Sequence, residues 1–149
     1  MITYHSENIS FPKIKRRETT NWIKSIAGEY NKIIGEVNFI FCSDEKILEI
    51  NRQYLQHDYY TDIITFDYSE PEVFRPQGEK INKISGDIFI SLDTVKSNAE
   101  QYNQQFETEL CRVIIHGILH LCGQKDKNET DRAEMTRKEN AALSTLADM

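Results

Sequence analysis

The sequence predicts an α+β domain built around a sheet of about four strands. Three observations lead there. Its 149 residues fit one domain of ordinary size, and a hydrophobic fraction of 39% supplies one sizeable core rather than two. Stretches rich in β-branched and aromatic residues alternate with helical periodicity through the first two thirds of the chain. The last third reads as helix.

Residues 2–5 predict a short first strand. Residues 17–34 predict an amphipathic helix with Trp22, Ile23, Ile26, Tyr30 and Ile33 on one side. After Gly35, residues 37–42 (VNFIFC) are β-rich and predict a strand. Ser43 followed by Asp44 and Glu45 is a helix start, a capping hydroxyl with early carboxylates. That helix carries Ile47, Leu48, Ile50 and Leu55 and ends near Gln56. Residues 61–68 (TDIITFDY) predict a strand. Residues 69–83 hold Pro71, Pro76 and Gly78 with few apolar side chains, and predict a long loop of the kind that tends to serve function. A further strand follows at 86–91, with Ser91 as cap for a helix over 92–104. Two last helices cover about 107–122 and 130–146.

Composition excludes several classes. No run approaches the ~18 apolar residues of a membrane span. The N-terminus has no charged segment leading into an apolar run, so no secretory signal is expected and the cytoplasm is the expected location. The triplets at Asn8 and Asn128 therefore carry no glycosylation meaning. Three cysteines, Cys42, Cys111 and Cys122, are an odd number at unrelated spacings. They suit core packing better than a disulfide framework or a Cys₄ zinc site. A net charge of −6 disfavours strong nonspecific attraction to nucleic acid. One basic cluster stands out, Lys13, Lys15, Arg16 and Arg17, as either a solvated helix end or an RNA contact. Lys125 and Lys127 flank Asp126.

The segment 110–122 (LCRVIIHGILHLC) is apolar nearly all round, which places it in the core. Its polar exceptions form a stripe. At ~100° per residue, Arg112, His116 and His120 fall at about 0°, 40° and 80°. The i,i+4 spacing stacks both imidazoles on one face, close enough to grip one ion. Gly123 follows, and a glycine just past a helix end commonly stops the helix and reverses the chain. The reversal swings Asp126 back toward the histidines. Two imidazoles and one carboxylate would hold a zinc ion at roughly 2.0–2.2 Å and leave a fourth position for water, the arrangement of a catalytic rather than a structural site. The pattern His-x-x-x-His-x-x-Gly-x-x-Asp matches a random window on the order of once in 10⁵–10⁶.

These residues resemble the YbeY family of bacterial endoribonucleases, implicated in ribosomal RNA maturation and ribosome quality control. The family signature His-Gly-x-Leu-His-Leu-x-Gly-Tyr-Asp-His reads here as His116-Gly117-Ile118-Leu119-His120-Leu121-Cys122-Gly123-Gln124-Lys125-Asp126. The segment 50–66 (INRQYLQHDYYTDIITF) and the triplet Gly86-Asp87-Ile88 match two further family blocks in order. Two departures stand out. The family's third metal ligand is usually His, where this chain has Asp126; carboxylate is an acceptable zinc ligand, and its charge should make bound water less acidic. The family's Arg after the block tyrosine is Leu55 here.

The resemblance implies a zincin-like α+β domain over residues 1–149, with a mixed sheet and the zinc helix near 107–122. It implies one zinc ion per chain on His116, His120 and Asp126, and hydrolysis of single-stranded RNA in maturation of the 16S ribosomal RNA. It implies the small ribosomal subunit as a partner and no membrane. Arg52 or Arg112 would take over the phosphate contact that Leu55 cannot make. Asp62 and Asp87 are candidates to support the imidazoles from behind. Competing readings differ in class. A His-Glu-x-x-His metalloprotease needs a glutamate base where Gly117 stands. A non-haem iron enzyme shares the two-His, one-carboxylate set. An assembly factor on the ribosome, with a structural zinc, would need no arginine at Leu55.

Overall fold

A computed structural model of the chain describes residues 1–57, 61–69, 73–74, 78 and 80–147. It is α+β, as predicted. Along the chain come β1 (Ile2–Glu7), α1 (Arg16–Glu29), β2 (Lys32–Cys42), α2 (Asp44–Leu55), β3 (Ile63–Asp67), β4 (Val73–Phe74) and β5 (Lys80–Ser91). Three helices follow: α3 (Leu92–Gln101), α4 (Phe106–Leu121) and α5 (Glu129–Ala147). The main sheet runs in the order β1-β2-β5-β3, parallel except for the antiparallel edge strand β3, and the short β4 pairs with the start of β5.

Alternation along the strands divides the two faces. On one face Val37, Phe39, Phe41, Ile84, Ile88 and Ile90 meet Trp22 and Ile23 of α1 and Leu110, Ile114 and Ile118 of α4 to form the main core. On the other, Cys42 and Ile64 pack under Ile47 and Ile50 of α2. Glycine fixes how closely α4 lies on the sheet. A Cβ at Gly117 would stand 3.0–3.1 Å from methyl groups of Ile88 and Ile63, and one at Gly86 would stand 2.5 Å from the carbonyl oxygen of Phe66. Bare backbone at both positions lets α4 pack against the β5–β3 pair.

The boundaries that differ most from the sequence reading are the end of α1 and the starts of β2 and β5. The helix predicted over 17–34 stops at Glu29, and residues 32–34 begin β2. Asn31, at a φ of 59°, turns the chain three residues before the predicted helix end, and Ile33 lies on a strand, 40% exposed. Gly35 sits at an irregularity in the β2–β5 register, where a Cβ would meet the Ser85 hydroxyl. The predicted loop 69–83 is shorter, because β5 starts at Lys80 and pairs Asn82, Lys83 and Ile84 with the first residues of β2. Its Lys and Asn content hid the strand; much of the remaining stretch lies outside the described residues. Of the cysteines, Cys42 is buried, while Cys111 and Cys122 are half-buried against the core rather than inside it.

Candidate metal centre

The last turn of α4 ends as its sequence predicts. Gly123 takes a φ of 103°. Its N–H donates to the His120 carbonyl and the Gln124 N–H to the Leu119 carbonyl, both at 3.0 Å, which is the Schellman arrangement. The chain reverses and returns Asp126 to the helix, with Oδ2 at 3.2 Å from Nε2 of His116.

A cavity of about 270 Å³ opens here, lined by His116, His120 and Asp126 together with Thr61, Asp62, Ile63 and Thr65 at the start of β3. All three predicted ligands thus face one cavity. They are not gathered around one point: among the described residues no three His, Cys, Asp or Glu side chains stand close enough to hold an ion as placed. His116 and Asp126 are in contact, while His120 is exposed on the cavity's rim.

Behind His116 lies a residue that sequence reasoning missed. Nδ1 of His116 donates to Oε2 of Glu139 at 2.7 Å, and Glu139, 7% exposed, also accepts from Nη1 of Arg112 at 3.0 Å through Oε1. The Nη2 group of Arg112 donates to Oδ1 of Asn140 at 2.8 Å. A buried carboxylate on Nδ1 fixes the ring's orientation and leaves Nε2 turned to the cavity, the usual support of a metal-bound imidazole. The signal was faint but present. Met135, Glu139 and Ala142 are spaced four and three apart and all buried, so a carboxylate occupies the apolar stripe of α5.

The electrostatics follow from this crowding. Burial alone would push the His116 imidazolium down. The Glu139 hydrogen bond, with the negative charges of Glu139, Asp62 and Asp126, outweighs it and holds the group above its ordinary value. Burial pushes the Asp62 carboxyl up, against the pull of His116. The carboxylates around His116 make the cavity's field favourable to a cation. That donor set of imidazole nitrogen and carboxylate oxygen suits a divalent ion of the zinc type.

The other expected residues are placed differently. Asp87 does not support the imidazoles: it lies on the opposite face of the sheet from Ile88 and accepts from Nδ2 of Asn38, its cross-strand partner, at 2.9 Å. Alternation put Asp87 on the far side, while Asp62, just before β3, reaches the cavity. Arg112 directs both terminal nitrogens to Glu139 and Asn140 and does not line the cavity, nor does Arg52, exposed on α2. Leu55 is 41% exposed at the end of α2. Asp58, Tyr59 and Tyr60 of the second block lie outside the described residues.

Comparison with known proteins agrees with the pattern of motifs. The chain matches the family model described as Endoribonuclease YbeY over residues 1–147. Endoribonuclease YbeY of Bacteroides fragilis is 61% identical over 143 residues, 96% of each chain. That of Phocaeicola vulgatus is 58% identical over 147 residues, 99% of each, and that of Porphyromonas gingivalis 48% identical over 145. The solution structure of TM1509 from Thermotoga maritima superposes with a TM-score of 0.63 at 28% identity, covering 98% of this chain and 89% of that one. The chain belongs to the endoribonuclease YbeY family.

Proposed function

We propose that this chain is a zinc-dependent endoribonuclease that cuts single-stranded RNA in ribosomal RNA processing, maturing 16S ribosomal RNA and serving ribosome quality control in the cytoplasm. Residues 1–149 act as one zincin-like domain with α4 as its metal-binding helix. The observation that carries this reading is the shared cavity of His116, His120 and Asp126, in a chain whose relatives are named endoribonucleases. One zinc ion per chain, held by those three residues, would supply a Lewis acid for the phosphoryl group and a water of lowered pKa.

The chain's own groups prepare the place. Glu139 keeps the Nδ1 proton of His116, so Nε2 is the atom left to bind. Rotation of the exposed His120 side chain brings the second imidazole in, a movement that costs little at the surface. Asp62 adds a half-buried carboxylate to the cavity wall. Gly117 leaves no base where a metallopeptidase carries its glutamate, and its Cβ position is filled by Ile88 and Ile63, so peptide hydrolysis has no proton acceptor at that position of α4. The carboxylate-rich cavity has no cation from Arg52 or Arg112 in its lining, which leaves substrate phosphate to be met by the metal and by RNA contacts elsewhere.

The test compares wild type with His120→Ala on single-stranded ribosomal RNA and on small ribosomal subunits, with and without chelator. Cleavage lost in the variant and under chelation is the expected result. Equal cleavage by both would remove the metal from the chemistry. Subunit binding by both proteins without any cleavage would favour an assembly factor with a structural zinc, the reading that the exposed Leu55 supports.

A further inference from the structure

Four of the chain's 18 Lys and Arg residues fall within positions 13–17 of a protein carrying a net charge of −6. The fold gives two of them a cavity. A space of about 400 Å³ lies between α1 and the edge strand β1, with Arg16, Arg17, Thr20 and Asn21 on one wall and Thr3 and Tyr4 on the other. Arg16 with Thr20 and Arg17 with Asn21 are i,i+4 pairs, so two guanidinium groups and two hydrogen-bonding side chains share one helix face. The Thr20 hydroxyl also meets the Tyr4 hydroxyl at 2.8 Å, which ties the two walls together.

The charge here is one-sided. Among the described residues no carboxylate lines this cavity, whereas Asp62 and Asp126 line the candidate metal cavity, and Glu18 of the same helical turn faces a different one. Among the described residues neither Arg16 nor Arg17 is held in an ion pair. The Arg16 guanidinium stands 4.3 Å from the Phe11 ring centroid, and Phe11 in turn packs edge-on to Phe41 at 5.6 Å. Stacking occupies the face of the guanidinium and leaves its in-plane N–H groups for a tetrahedral anion. Lys15 stands at the N-cap of α1 without a side-chain cap, so the positive end of the helix adds to the field.

We propose that this cavity binds a phosphodiester of the RNA backbone and anchors the strand away from the cleavage site, an assignment that rests on the ribonuclease reading above. Guanidinium and hydroxyl donors facing an anion fix position and register without reading bases. β1 and β3 are the opposite edges of the β1-β2-β5-β3 sheet. Three inter-strand steps of ~4.8 Å separate them by about 14 Å. At ~3.4 Å per stacked nucleotide, a strand of about five stacked residues reaches from one to the other.

The experiment measures binding of a labelled single-stranded 12-nucleotide RNA to the full chain, in chelator to prevent cleavage, across a range of salt. Arg16→Ala/Arg17→Ala should weaken 12-nucleotide binding about tenfold and lower the slope of log K against log salt by about 1.4, two contacts at ~0.7 each. Arg17→Lys should keep most of the slope. Both arginines are exposed, so the melting temperature should not move. An unchanged slope in the double variant overturns the proposal. A wild type that binds but never cleaves when zinc is restored sinks the ribonuclease reading and leaves this site standing. A wild type that cleaves while the double variant binds equally well removes this site alone, and no binding by wild type removes both.

Discussion

Glu139 is where a single side chain matters most. It holds the Nδ1 proton of His116 and the Nη1 group of Arg112 at once, and it is nearly fully buried. Removing it leaves His116 free to turn and strands the Arg112 charge. Glu139→Ala should lower zinc affinity about 10–100-fold in a competition titration with a chromogenic chelator. It should also cost about 1–3 kcal/mol of folding stability, the range for hydrogen bonds to charged groups. Undiminished zinc affinity would show that Glu139 plays no part in holding the imidazole. Gly117 makes the second case at this scale. Gly117→Ala gains about 1 kcal/mol of helix propensity, yet forces a methyl against fully buried Ile88 at 3.0 Å, an overpacking cost of about 1–3 kcal/mol. A net loss of about 1 kcal/mol in denaturant unfolding is expected, and a stabilised variant would mean that the sheet gives way more easily than its packing suggests.

At the scale of elements, Ser91 and Gly86 show how β5 organises its neighbours. Ser91 ends β5 and caps α3, accepting from the Thr94 N–H at 3.3 Å while donating to Oδ1 of Asp44 at the start of α2. Ser91→Ala breaks both links and should cost about 1–2 kcal/mol, read from urea unfolding followed by the fluorescence of Trp22, the chain's one tryptophan. Trp22 suits the purpose because it is fully buried and donates to the Ala142 carbonyl at 2.9 Å, joining α1 to α5. Gly86 has no room for a side chain between the Phe66 carbonyl and Leu121. A methyl there has to displace backbone, so Gly86→Ala should move α4 relative to β3 and weaken zinc binding as well as stability. Loss of stability alone, with zinc affinity intact, would separate Gly86 from the metal centre.

For the whole molecule the cysteines set an alkaline limit. Burial pushes Cys42 from its ordinary 9.0 up to about 12, and Cys111 and Cys122 up to about 11. A folded-state value above the unfolded one gives stability that is complete below the unfolded value and lost as pH climbs to the folded one. Stability should therefore hold to about pH 9 and decline from there toward pH 11–12, because the unfolded chain ionises its thiols first. Trp22 fluorescence in urea at a series of pH values measures the decline, and Cys42→Ala should flatten it. A thiol reagent at pH 8 should react slowly with the folded chain and fully once it is unfolded; fast reaction in the native state would contradict the burial.

What the sequence determined by itself is local. The stripe of His116 and His120, the glycine reversal that returns Asp126, and the Ser43 and Ser91 caps each depend on hydrogen bonds and periodicities spanning a few residues, and each was legible there. Helix and strand ends were less legible where local signals compete. The chain turns at Asn31 inside the predicted helix, and the polar start of β5 looks like loop until β2 pairs with it. Tertiary structure alone decided which carboxylates serve the site. Glu139 is 23 residues from His116, and Asp62 rather than Asp87 faces it, because strand alternation and helix packing choose among distant acidic residues that the one-dimensional pattern treats alike. Tertiary packing likewise turned Arg112 from the cavity toward Glu139 behind His116, and gathered Arg16 and Arg17 beside an edge strand where, among the described residues, no carboxylate lines the cavity.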